Sequence, residues 1–81
     1  MKKYIQFDNI QDQLAVQLIL TELENARKKH PDFTNNPFLQ LSILVEEVGE
    51  VAKDLNDKEL QKAVKEMAQV AAVIIRMITD K

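Results

Sequence analysis

The chain has no cysteine, no tryptophan, a single glycine, two prolines and one histidine. Without cysteine it can form neither a disulfide nor a thiolate metal centre, which fits a reducing compartment. One histidine cannot supply the paired Glu-x-x-His motifs of di-iron helical bundles. So little glycine and proline leaves almost no turn chemistry for a sheet, and an all-α fold is expected by elimination. No segment is apolar over a membrane-spanning length, and Met1-Lys2-Lys3-Tyr4-Ile5-Gln6 lacks the long apolar core of a signal peptide. The expectation is therefore a soluble cytoplasmic protein with no membrane partner. A net charge of -2 gives no global attraction to nucleic acid.

What is present is a globular composition, 46% apolar and 30% charged, spread over 81 residues. That length makes one domain, residues 1–81, whose core is too small to be generous.

Three helices are expected. The first opens at Asp8, with Gln11 in the D-x-x-Q spacing of a capping box, and buries Ile10, Leu14 and Leu18, with Val16, Ile19 and Leu23 as further candidates. It closes through Arg27-Lys28-Lys29-His30 before Pro31, cations that suit the negative end of a helix dipole. That basic run and His30 read more simply as a solvated helix end than as a phosphate site or a ligand. After a loop, Asn36-Pro37 has the form of an N-cap followed by proline at the first helical position. The second helix runs to about Leu55, with a seam of Leu41, Leu44, Val45, Val48, Ala52 and Leu55. Asn56 and Glu59 suggest a second capping box and a very short turn, which makes helices two and three antiparallel neighbours. The inner stripe of the third helix is Leu60, Val64, Met67, Ala71, Ile74 and Ile78. Between Met67 and Ile78 only Gln69 and Arg76 are polar, so this helix must be covered nearly all round. Three helices of one short chain cannot do that alone; a homo-oligomer completing a four-helix-type bundle is expected.

The chemistry concentrates in Glu46-Glu47-x-x-Glu50 and Glu66-x-x-Gln69. Each helical residue advances by about 100°, so Glu46, Glu47 and Glu50 share roughly 100° of arc and repel one another. The two motifs lie symmetrically about the Asn56 turn, which sets Glu66 and Gln69 beside Glu47 and Glu50 at similar heights. Paired i, i+3 groups on facing helices are how bundles build carboxylate metal sites. With oxygen donors only, the ion would be Mg²⁺ or Mn²⁺. Glutamate is also a good helix former, and the same string occurs on solvated faces; both readings stand at this point. Gly49, in the middle of the second helix, costs near 1 kcal/mol relative to alanine, and a close backbone or ligand approach would explain it. Phe33, Phe38 and Tyr4 are possible stacking partners for a base and equally possible core caps.

Leu44-Val45-Glu46-Glu47-Val48-Gly49-Glu50-Val51-Ala52-Lys53 resembles the first signature of the MazG-like, all-α nucleoside triphosphate pyrophosphohydrolases, whose pattern is E-E-x-x-E followed by E-x-x-D. The likeness covers most of the chain. It implies a dimer or tetramer that uses Mg²⁺ to split a nucleoside triphosphate between its α and β phosphates. Carried onto this sequence, Glu47, Glu50 and Glu66 would be metal ligands, and Glu46 would serve a second metal or orient the attacking water. Gln69 stands where the pattern has aspartate; its amide oxygen can ligate but brings no charge. Lys53 and Arg76 are candidate phosphate contacts, against the simpler readings of an intrahelical partner of Glu50 or Glu46 and a counter-charge at a helix interface. Two alternatives remain: a MazG-like binding or regulatory protein with a degraded site, or a plain helical oligomerisation module.

Overall fold

The computed structural model describes residues 9–80, which form three helices of equal length: α1 (Ile10–Lys29), α2 (Pro37–Asn56) and α3 (Leu60–Thr79). Asp8 and Tyr4 lie outside the described residues. The observed N-cap of α1 is Asn9, whose side-chain oxygen accepts from the Gln11 amide at 2.7 Å. α2 starts as its sequence implies. Asn36 Oδ1 accepts from the amides of Phe38 and Leu39, and Pro37 occupies the first turn, where its missing N–H costs nothing.

The turn from α2 to α3 differs from the expected capping box. Asn56 is still helical, and Glu59 flanks α3 without a side-chain cap, pairing instead with Lys62 at 2.7 Å. α2 ends in a Schellman motif: the Glu59 amide donates to the Asp54 carbonyl, and the Lys58 amide to that of Leu55. Lys58 takes the left-handed position with φ 59°, where glycine is usual. The chain therefore reverses through backbone hydrogen bonds, and the Asn56 side chain is not needed.

α3 packs against both α1 and α2, while α1 and α2 do not pack on each other. The result is a slab of 35 × 35 × 20 Å with α3 as its spine. The face that α3 buries is not the large-residue stripe expected from the sequence. Ala63, Ala68, Ala72 and Arg76 are buried, whereas Leu60, Val64, Met67, Ile74 and Ile78 are exposed. Ala68 and Ala72 stand one turn apart in a row that continues to Arg76, while Ala63 lies on another side of α3; such small side chains let the neighbouring helix axes approach closely. α2 shows the same rotation. Gln40 and Asp54 are buried, and Ile43, Leu44, Glu47 and Val51 are half-buried between them; Leu41, Val45, Val48, Ala52 and Leu55 face out. In α1, Glu22 and Leu23 are buried and Val16, Leu18 and Ile19 half-buried, but Ile10 and Leu14 stay exposed. In α2 the more polar of two helical rows thus lies inside, and in α3 the smaller one does.

Candidate functional site

Because α2 is turned this way, Glu47 sits on the surface that meets α3, while Glu46 and Glu50 remain exposed beside it. The antiparallel pairing then brings Glu47 against Glu66, close enough for one carboxyl to hydrogen bond to the other when a proton is present. With both ionised the contact is repulsive, and the buried Oε2 of Glu47 meets no donor. Burial, the Glu66 contact, and the charges of Glu66, Glu46 and Glu50 together push the Glu47 carboxyl up to about 7. The expected crowding of carboxylates is therefore real at Glu47 and Glu66. Among the described residues, however, no three acidic or histidine side chains converge as a ready-made cage for a metal ion.

Gln69, one turn along α3 from Glu66, faces α1. Its Nε2 donates to Oε1 of Glu22 at 3.1 Å. Glu22 is a residue the sequence reading missed altogether. Its only signal was an acidic residue set among Leu18, Ile19 and Leu23 on the apolar side of the first helix.

Glu47, Gln69 and Glu22 line a common cavity of about 520 Å³, walled also by Asn25, Phe33 and Arg76. It exists because α1 and α2 stand apart on α3, leaving a trough that the loop of residues 30–36 closes at one end. That loop is held by its own polar contacts: the buried Gln40 donates to the Thr34 carbonyl at 2.8 Å. No family model matches the chain, and no curated protein or solved structure matches it either. The chemistry of the site must be read from its own residues.

Arg76 lines the cavity with three hydrogen bonds to the surrounding fold. Nε reaches Asp80 Oδ2 at 2.6 Å, Nη2 reaches the His30 carbonyl at 2.7 Å and Nη1 the Ala26 carbonyl at 3.3 Å. Its guanidinium carbon lies 4.7 Å from the centre of the Phe33 ring. Arg27, from the basic run at the end of α1, joins the same knot through Asp80 at 2.8 Å. Lys28 pairs with Glu24 within α1 at 3.1 Å. Lys53 is exposed on α2, outside the cavity lining. Phe38 is 78% exposed at the start of α2, too far out to cap a core. Gly49 has open space where a Cβ would stand, so no close approach within one chain explains it.

Proposed function

We propose that this chain is a MazG-like nucleoside triphosphate pyrophosphohydrolase that works with Mg²⁺ or Mn²⁺ and acts as a homo-oligomer. The observation that carries the reading is the Glu47–Glu66 confrontation across α2 and α3, with Glu46 and Glu50 adding like charge. A fold seldom keeps a buried carboxylate oxygen without a donor unless something else satisfies it. The donor set fits a hard divalent cation, being oxygen throughout. Glu47 and Glu66 would hold it, with Glu50 completing the set from the adjoining helical face. Such an ion, once bound, supplies charge neutralisation at the phosphate oxygens.

The remaining work falls to the protein. Water adds to the α-phosphorus, the bridging bond to the β-phosphate breaks, and pyrophosphate leaves with the electron pair of that bond. Glu46, exposed beside Glu47, is assigned to orienting that water and accepting its proton. Lys53, three residues beyond Glu50, is the cation nearest the acidic motif in sequence and is assigned to the phosphates. Arg76, held by three hydrogen bonds within the fold, shapes the cavity wall and has two further N–H groups, which are assigned to the phosphates.

Exposed apolar side chains support the oligomer. Leu14, Val45, Val48, Val64 and Met67 are each between 44% and 61% exposed, far more apolar surface than a small monomer leaves in water. A second copy covering them would complete the bundle; a stable monomer in light scattering at micromolar concentration would rule this out.

A second reading has its own support. Gln69 turns its neutral amide toward Glu22 and away from the carboxylates of α2, as expected of a nucleotide- or metal-binding protein that has lost turnover. Incubation with a panel of canonical and modified nucleoside triphosphates plus Mg²⁺ or Mn²⁺, following pyrophosphate, separates the two. Metal-dependent pyrophosphate with monophosphate product, abolished by Glu47→Gln, establishes the enzyme. Silence across the panel, with a large gain in metal affinity and turnover in Gln69→Asp, establishes the degraded site.

A further inference from the structure

Glu22 is an unusual feature of the cavity that phosphate chemistry does not use. It is only 9% exposed, yet it lines the cavity wall. A carboxylate withdrawn from water is costly unless it is paired or well hydrogen bonded. Here its single hydrogen bond within the described residues comes from a neutral amide, Gln69 Nε2, onto Oε1. Among the described residues no salt bridge reaches it: Arg76 is turned to Asp80 and backbone carbonyls, Lys28 to Glu24 and Arg27 to Asp80, and Lys29, in the same cavity lining, does not pair with it. The Gln69 contact fixes one oxygen and leaves acceptor capacity on both, since each carboxylate oxygen can accept more than one hydrogen bond.

We infer that Glu22 is a specificity-determining residue that reads the base of the nucleotide, selecting an edge with two adjacent N–H donors. This rests on the nucleotide reading of the site and adds the identity of the base. A bidentate carboxylate needs two parallel donors, the geometry by which it also meets a guanidinium. Guanine alone among the common bases offers this, through its N1–H and 2-amino group. Adenine and cytosine set their amino group beside a ring nitrogen acceptor, which the second oxygen repels. Uracil and thymine flank one N–H with two carbonyls. A site of buried acceptors rejects an analogue lacking a donor strongly, because the acceptor is left unpaired when that analogue binds. The cavity of about 520 Å³ is of a size that takes a nucleotide, and the Phe33 ring supplies an apolar wall for the base.

The test is calorimetric titration of the full chain with the monophosphates of guanosine, inosine, adenosine and uridine, in parallel with pyrophosphate release from the corresponding triphosphates. Inosine is the deciding ligand, since it differs from guanosine only by the missing 2-amino group. Guanosine monophosphate is expected to bind about tenfold more tightly than the inosine compound, the worth of one charge-assisted hydrogen bond. Glu22→Gln, whose carboxamide has one acceptor oxygen, should bring the two within about threefold by the same reckoning. Equal binding of guanosine and inosine compounds by the wild type overturns the inference, as does a preference that survives Glu22→Gln in a folded variant, or no nucleotide binding at all. If Glu22→Gln does not fold, the wild-type series decides alone. Pyrophosphate release without base preference leaves the hydrolase reading standing and removes this one. Guanosine-selective binding without release does the reverse.

Discussion

Two charged clusters stand at either end of the trough, built from the same kinds of residue in opposite ways. Around Arg76, every donor of the guanidinium that bonds has an acceptor, from Asp80, His30 and Ala26, and Arg27 completes the knot. The Asp80 carboxyl is accordingly held down to about 2, with Arg27 the chief cause. Around Glu47 the charges share one sign, a buried oxygen has no donor, and the carboxyl is driven up to about 7. The first cluster ties α3 to the end of α1 and to the loop. The second costs stability once both carboxyls are ionised, and among the described residues no donor meets the buried oxygen of Glu47. Complementary charge holds one cluster together, while like charge is left opposed in the other.

The contrast is broken most severely by Arg76→Ala. Removing a guanidinium only 3% exposed strands the His30 carbonyl and takes one donor each from the Ala26 carbonyl and Asp80, and a loss of about 3 kcal/mol is expected in chemical denaturation. At the other cluster the sign inverts. Folded Glu47 holds its proton up to about 7, whereas an unfolded glutamate releases it near 4.5. Between these values the folded state binds more protons, so Glu47 makes stability fall as pH rises through the interval. The penalty is absent below the lower value and complete above the upper. Asp80 does not interfere, since its contribution is lost only as pH falls from its ordinary 3.8 toward about 2. Thermal melts from pH 5 to pH 8 should slope downward in metal-free wild type and flatten in Glu47→Gln. Adding Mg²⁺ at pH 8 should restore the wild type and leave the variant unmoved, because an ion that binds only the folded state stabilises it by mass action. A flat wild-type profile would erase the contrast between the clusters.

Smaller changes sharpen it. Gly49→Ala places a methyl in open space beside Glu50 and should stabilise the isolated chain by about 1 kcal/mol in the same denaturation assay. A loss instead would mean that a second copy or a ligand presses on that face. Lys58→Gly relieves a left-handed lysine in the turn and should add about 0.5 kcal/mol, with the pH slope of Glu47 unchanged. A change of slope would show that the turn, and not the carboxylates, sets the behaviour.

Much of the helical frame is legible in the residues. Asn36-Pro37 announces α2, scarcity of glycine excludes a sheet, and the spacing about the turn foretells that Glu47 and Glu66 come together. Which side of each helix points inward is not legible. In α3 the leucine–isoleucine row and the alanine row are separated by less than a helical half-turn. Hydrophobicity favours the first, whereas close approach of helix axes favours the second. In α2 the row that points inward includes Glu47, between the buried Gln40 and Asp54. The expected cap at Asn56 failed for a different reason: the backbone ended the helix by itself through Lys58. Glu22 was invisible because its significance depends on Gln69, which lies 47 residues away in sequence.

The trough has a floor, and at Ala72 that floor is one methyl group, only 1% exposed. Alanine combines the highest helix propensity with nearly the least bulk, so position 72 acts as a depth gauge that can be turned almost only one way. Valine and then leucine there would raise the floor in steps, each also crowding the close approach of α3 to its neighbours. The series would convert a single backbone position into a ruler for whatever the trough accommodates, large occupants being excluded before small ones.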